Sequence, residues 1–116
     1  MLEVCQGAVR LWRSNVGLAW TGDKYWHVDP CHLVIKNPRP FRAGFKGLSD
    51  LTGYKTITIT PDMVGQKIAV FAAVEVKAAR GRPTKEQTAF LNRVREAGGL
   101  AGIAKSAEEA ERILNP

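Results

Sequence analysis

Residues 68–77, IAVFAAVEVK, place the strongest limit on how this chain folds. An apolar run of this kind reads as a central strand, covered on both faces along most of its length. The segment after it fixes its use. A turn at residues 80–83 leads to Thr84, a good helix N-cap, with Gln87 three residues on at capping-box spacing. The helix runs to about Ala97 on an apolar stripe of Phe90, Leu91 and Val94, and stops at Gly98-Gly99. Residues 100–104 form a short strand. Ser106 caps a last helix, with Glu109 at the box position and Ala110, Ile113 and Leu114 turned inward. Strand, helix and strand in this order make one crossover unit, expected to be right-handed.

Upstream the pattern is β-rich. Residues 8–20 are extended with a break near 15–17, residues 25–35 are ambiguous with a short strand at 32–35, and 37–47 (NPRPFRAGFKG) is a long loop. Residues 48–54 are short and apolar with one acid inside. KTITIT at 55–60 alternates as a half-wet strand, followed by a turn at 61–66. The 116 residues fit one domain, 1–116, of mixed α/β class: a central mixed sheet flanked by helices.

Charge narrows the partners. Lys and Arg number 17 against 11 Asp and Glu, a net charge of +6, which favours a polyanion. Lys36, Arg39, Arg42 and Lys46 lie in one acid-free stretch, and Lys77, Arg80, Arg82 and Lys85 in another. Glu108, Glu109 and Glu111 make the far end acidic, the polarity of a one-faced nucleic-acid binder. No apolar run nears the ~18 residues of a membrane span, and the start lacks the pattern of a secretory signal. No membrane partner and a cytoplasmic location are therefore expected. Cys5 and Cys31 belong to no CxxC and are expected as two reduced thiols. His27 and His32 lack a third ligand at metal spacing. Trp12, Trp20 and Trp26 are expected in a core or a dimer interface.

The chemistry centres on Glu75-Val76-Lys77. Alternate side chains of a strand share a face, so Glu75 and Lys77 project together while Val74 and Val76 enter the core. Glu75 and the backbone carbonyl of Val76 are candidate Mg²⁺ ligands. The lysine beside them can position a water and stabilise charge developing on a phosphate. If the segment Gly47-Leu48-Ser49-Asp50-Leu51 pairs beside the 68–77 strand, Asp50 meets Glu75 and the two carboxylates share one ion. Gln87 lies on the inward stripe of its helix and needs a partner there. Each residue has a plainer reading: a solvated Glu75–Lys77 pair, a turn cap at Asp50, a capping partner only at Gln87. Arg13 and Asn15 suit a solvated edge and Arg80, Arg82 and Lys85 an ordinary loop. In a nuclease all five become DNA phosphate contacts.

Gly-Leu-Ser-Asp-Leu (47–51), Glu-Val-Lys (75–77) and Gly-Arg-Pro-Thr-x-x-Gln (81–87) resemble the virus-type replication-repair nuclease (VRR-NUC) family, in its stand-alone phage or bacterial form. The resemblance takes in Trp12-Arg13-Ser14-Asn15-Val16-Gly17 upstream and the Ser106 helix downstream. It implies a PD-(D/E)xK, restriction-endonuclease-like fold. It makes Asp50 and Glu75 metal-binding carboxylates, Lys77 the catalytic lysine and Gln87 a helix glutamine near the metal, with Mg²⁺ or Mn²⁺ as cofactor. The activity implied is a homodimeric, structure-specific DNA endonuclease cutting branched DNA such as Holliday junctions, in a bacterial or phage-infected cell. One departure stands out. The family begins with a full helix carrying a supporting glutamate; here that helix is shortened or lost, and Glu3 is the candidate stand-in. The alternatives are a non-catalytic DNA-binding module on the same fold and a protein–protein scaffold.

Overall fold

The structure, a computed structural model, describes residues 3–116, the first four of them (3–6) as backbone only. In chain order the strands are β1 (Glu3–Gln6), β2 (Val9–Arg13), β3 (Gly17–Thr21), β4 (Lys24–Asp29), β5 (His32–Lys36), β6 (Arg39–Ala43), β7 (Leu51–Lys55), β8 (Ala72–Val76) and β9 (Leu100–Ala104). A 3₁₀ turn, Pro61–Met63, lies before β8. Helix α1 (Lys85–Glu96) joins β8 to β9, and α2 (Ala107–Leu114) comes after β9. The chain divides into two compact units, one containing Arg10–Gly53 and the other Gly7–Val9 with Tyr54–Pro116.

The strands form four small sheets among the described residues: β1-β2-β7, β3-β6, β4-β5 and β8-β9. The single central sheet expected from the sequence is not assembled by backbone pairing. In the first unit, the residues expected as a loop at 37–47 instead contain β6. It pairs antiparallel with β3 and sets Pro40 opposite Trp20. Proline lacks a donor for the ladder, but an edge strand tolerates it. The ambiguous stretch at 25–35 is a two-stranded ribbon, β4 against β5, with Lys24 opposite Lys36 and Trp26 opposite Val34. At the ribbon's base, Asp23 accepts from Asn37 Nδ2 at 2.8 Å and from Arg39 at 2.9 Å. At its tip, Asp29 accepts from the Cys31 amide at 2.7 Å and pairs with His32. Bonding to Asn37 and then Arg39 holds the Asp23 carboxyl below its usual range, and His32 foremost does the same for Asp29. Cys31 is a free, exposed thiol; the side chain of Cys5 lies outside the described residues.

In the second unit the crossover forms as the pattern predicts: β8 and β9 are parallel, with α1 between them in the chain. Thr84 and Gln87 make a reciprocal capping box, with Gln87 N donating to Thr84 Oγ1 at 3.1 Å and Thr84 N donating to Gln87 Oε1 at 2.9 Å. At the other end, Gly99 N donates to Val94 O at 2.8 Å and Gly98 N to Arg95 O at 3.0 Å. This is a Schellman close, with Gly98 at φ 94°. Ser106 caps α2 through the amide of Glu109. The Glu109 carboxylate reaches back to the Lys105 amide at 2.7 Å, one residue before the cap. Leu91, Val94 and Ala104 are the buried centre of this unit.

Two strands are shorter than their sequence suggests. KTITIT is extended beyond Lys55 without being a strand, and Ile57 and Ile59 are exposed. Its β-propensity finds no neighbouring ladder: after Thr56 N bonds Ala8 O at 2.8 Å, pairing stops. The 68–77 run becomes a strand only at Ala72–Val76, and Ile68 and Val70 are exposed. Among the described residues it pairs with β9 alone, so it is an edge strand and not the central strand expected.

Candidate active site

Glu75 and Lys77 flank the C-terminal end of β8. The two-residue period of the strand puts their side chains together, and Lys77 Nζ lies 3.1 Å from Glu75 Oε1. Their side chains are 29% and 20% exposed, so the pair is partly withdrawn from water and is not the solvated surface pair of the plainer reading. Val76 between them is 74% exposed, against the expectation that it enters the core. Val76 is the last residue of β8, and its side chain meets solvent. The Lys77 amide donates to Ala104 O at 3.0 Å, which ties the end of β8 to the end of β9.

Gln87 completes the group. Its Nε2 donates to Glu75 Oε1 at 2.8 Å while its Oε1 serves the capping box. The two readings of Gln87 therefore hold at once, because a primary amide has a donor end and an acceptor end. Two donors converge on Glu75 Oε1. Glu75 Oε2 carries no hydrogen bond among the described residues, which leaves it able to ligate a cation. No three His, Cys, Asp or Glu residues converge on one point among the described residues. A carboxylate oxygen of this kind is a ligand that a hard cation such as Mg²⁺ accepts.

Asp50 lies in the other unit. It is exposed, in a bend just before β7, and its carbonyl accepts from Ser14 N at 2.8 Å. Ser14 Oγ also donates to Thr52 Oγ1 at 2.7 Å, which fastens this bend to the end of β2. The expected pairing of the Asp50 segment with the 68–77 strand is not made: β7 pairs with β2, and β8 with β9. Glu3 falls in β1, a strand and not a helix, and its side chain lies outside the described residues.

Arg80, Arg82 and Lys85 are exposed along the turn after Lys77 and at the first residue of α1. Gly81 N donates to Ala78 O at 2.8 Å to close that turn. Arg13 and Asn15 are exposed in the first unit, on and just after the end of β2. Arg39, in the other basic stretch, is committed to Asp23. Sequence reasoning missed Lys105, whose Nζ donates to Ala79 O at 2.7 Å and braces the turn after Lys77. Its only sequence signal is its place just before a helix cap.

A carboxylate and a lysine side by side at a strand end, with a helix amide on the carboxylate and cations on the next turn, suit chemistry on a phosphodiester. The VRR-NUC domain family model matches residues 29–108, and the chain belongs to that family. It is therefore a nuclease-type domain that processes DNA. The match takes in Asp50, Glu75, Val76, Lys77, Arg80, Arg82, Lys85 and Gln87; Arg13 and Asn15 fall upstream of it. Comparisons with curated proteins and with solved structures find no match. No helix among the described residues is long and apolar enough to cross a membrane.

Proposed function

We propose that this chain is a Mg²⁺- or Mn²⁺-dependent endodeoxyribonuclease that cuts branched DNA such as a Holliday junction. The observation that carries the reading is the Lys77–Glu75–Gln87 group. Lys77 and Gln87 both meet Glu75 Oε1 and restrain the carboxylate, while Oε2 accepts no hydrogen bond among the described residues. Resemblance to the family adds Asp50 as a second metal-binding carboxylate, and the Val76 carbonyl beside Glu75 is a further candidate ligand. The bound cation would polarise the scissile phosphate and supply an activated water. Lys77 orients the nucleophile and stabilises charge on the phosphate oxygens. Gln87 fixes Glu75, and Arg80, Arg82 and Lys85 hold the DNA backbone beside the site, with Arg13 and Asn15 as further phosphate contacts.

A homodimer goes with this reading. On β3, Leu18 is 62% and Trp20 53% exposed, opposite Arg42 and Pro40 on β6, a largely apolar face with one arginine that suits a second copy. A C2 pair would present two sites to the two strands of a symmetric junction. The second reading, a DNA-binding module without cutting, rests on exposed Arg80, Arg82 and Lys85, which would hold DNA with or without chemistry at Glu75 and Lys77.

A labelled four-way junction and a matched linear duplex, each with Mn²⁺ and with EDTA, separate the two. Metal-dependent cutting of the junction alone is expected, with light scattering at dimer mass. Lys77→Ala and Asp50→Asn should abolish cutting while junction affinity stays within about twofold, because phosphate contacts made elsewhere carry the binding. Cutting by either variant at the wild-type rate would overturn the site. Binding without any cutting by the unaltered chain would establish the module.

A further inference from the structure

The ribbon β4–β5 has a lopsided distribution of side chains. Residues directly opposite in an antiparallel pair share a face, so one face carries Lys24 with Lys36, then Trp26 with Val34. Two like charges directly opposite destabilise a sheet. No acid relieves them: among the described residues neither lysine forms an ion pair, Asp23 at the base is taken by Asn37 and Arg39, and Asp29 at the tip by His32 and Cys31. Trp26 in the next row is 44% exposed. The two rows are about 7 Å apart, two residues along a strand. That spacing suits a nucleotide with its phosphate at the lysines and its base on the indole.

We propose that this face of the β4–β5 ribbon binds an unpaired single strand of the nucleic-acid substrate, with Trp26 stacking on a base and Lys24 and Lys36 neutralising its phosphates. The proposal rests on the DNA-processing reading for the class of partner, and adds a contact that lies largely outside the family match, which begins at Asp29. Base–aromatic stacking needs an exposed base face, so a paired duplex cannot use Trp26. A second copy of the chain fits this face poorly. Lysine is depleted in the cores of protein interfaces, and a two-fold axis here would gather four of them.

The test is binding alone, in EDTA, so that its outcome does not depend on whether the chain cuts. Fluorescein-labelled oligothymidine is titrated with the full chain and followed by anisotropy. Trp26→Leu keeps the apolar character and removes the stacking face; it should weaken binding roughly tenfold, and Trp26→Phe should recover most of the loss. The double variant Lys24→Gln/Lys36→Gln should flatten the salt dependence by about 1.4 in log–log slope, two phosphates' worth on a single strand. Affinity for a linear duplex should stay within about twofold for all three, since the duplex is held elsewhere. Oligothymidine affinity unchanged in Trp26→Leu would overturn the proposal. So would a Trp26→Leu protein that drops from dimer to monomer mass with its oligothymidine affinity intact, which would give the face to a second copy.

Discussion

Glu75 is the residue on which the site turns, and its two oxygens are treated differently. Oε1 accepts from Gln87 and lies 3.1 Å from Lys77 Nζ; Oε2 accepts no hydrogen bond among the described residues. Gln87→Glu separates the two tasks of the glutamine. A glutamate at this position still completes the capping box, so α1 keeps its start. It brings a second carboxylate to Glu75 in place of a donor, and like charges there repel. Cutting should fall by about two orders of magnitude, the scale of a lost positioned donor at a reacting centre, while Tm moves by no more than about 3 °C. Side-by-side cleavage assays and thermal melts check this. The Glu75–Lys77 pairing and both roles of Gln87 were legible in the sequence, because strand period and helix phase fix them within a few residues. The outward turn of Val76 was not, because it depends on where β8 ends.

At the scale of elements the same division holds. Both helices begin, and α1 ends, where their caps predict, since Thr84, Ser106 and Gly98 act on backbone groups a turn away. Strands are less legible, since a strand exists only where a partner lies. KTITIT has the composition of a strand and no ladder, whereas RPFRA has a proline and a partner in β3. Gly98 tests the helix stop. Nothing lies within 4 Å of a Cβ built on it, so Gly98→Ala meets no clash and pays only for φ 94°. The expected loss is about 1 kcal/mol, near 4 °C in Tm. Gly102 works differently: a Cβ there would meet Ile113 at 2.7 Å, so α2 packs on β9 through that missing side chain. Thermal melts of Gly98→Ala and Gly102→Ala should rank the second as the larger loss, by overpacking.

For the whole molecule, charge sets how DNA is held. The excess of +6 is not confined to one stretch. With Arg13, Arg80, Arg82 and Lys85 on the backbone, the log–log salt slope of duplex affinity should be about −3.6, and Arg82→Ala should reduce it by about 0.9. Anisotropy titrations from low to moderate salt measure both. The bond between Ser14 and Thr52 bears on how the molecule assembles. It joins side chains 38 residues apart, while Gln87 and Glu75 are separated by 12. Loop closure costs grow with that separation, and contacts distant in sequence form late. On refolding, the amides of β8, α1 and β9 should gain protection from exchange before those of β2 and β7. The contact between Gln87 and Glu75 is thus set early, and the bend bearing Asp50 is among the last parts to settle.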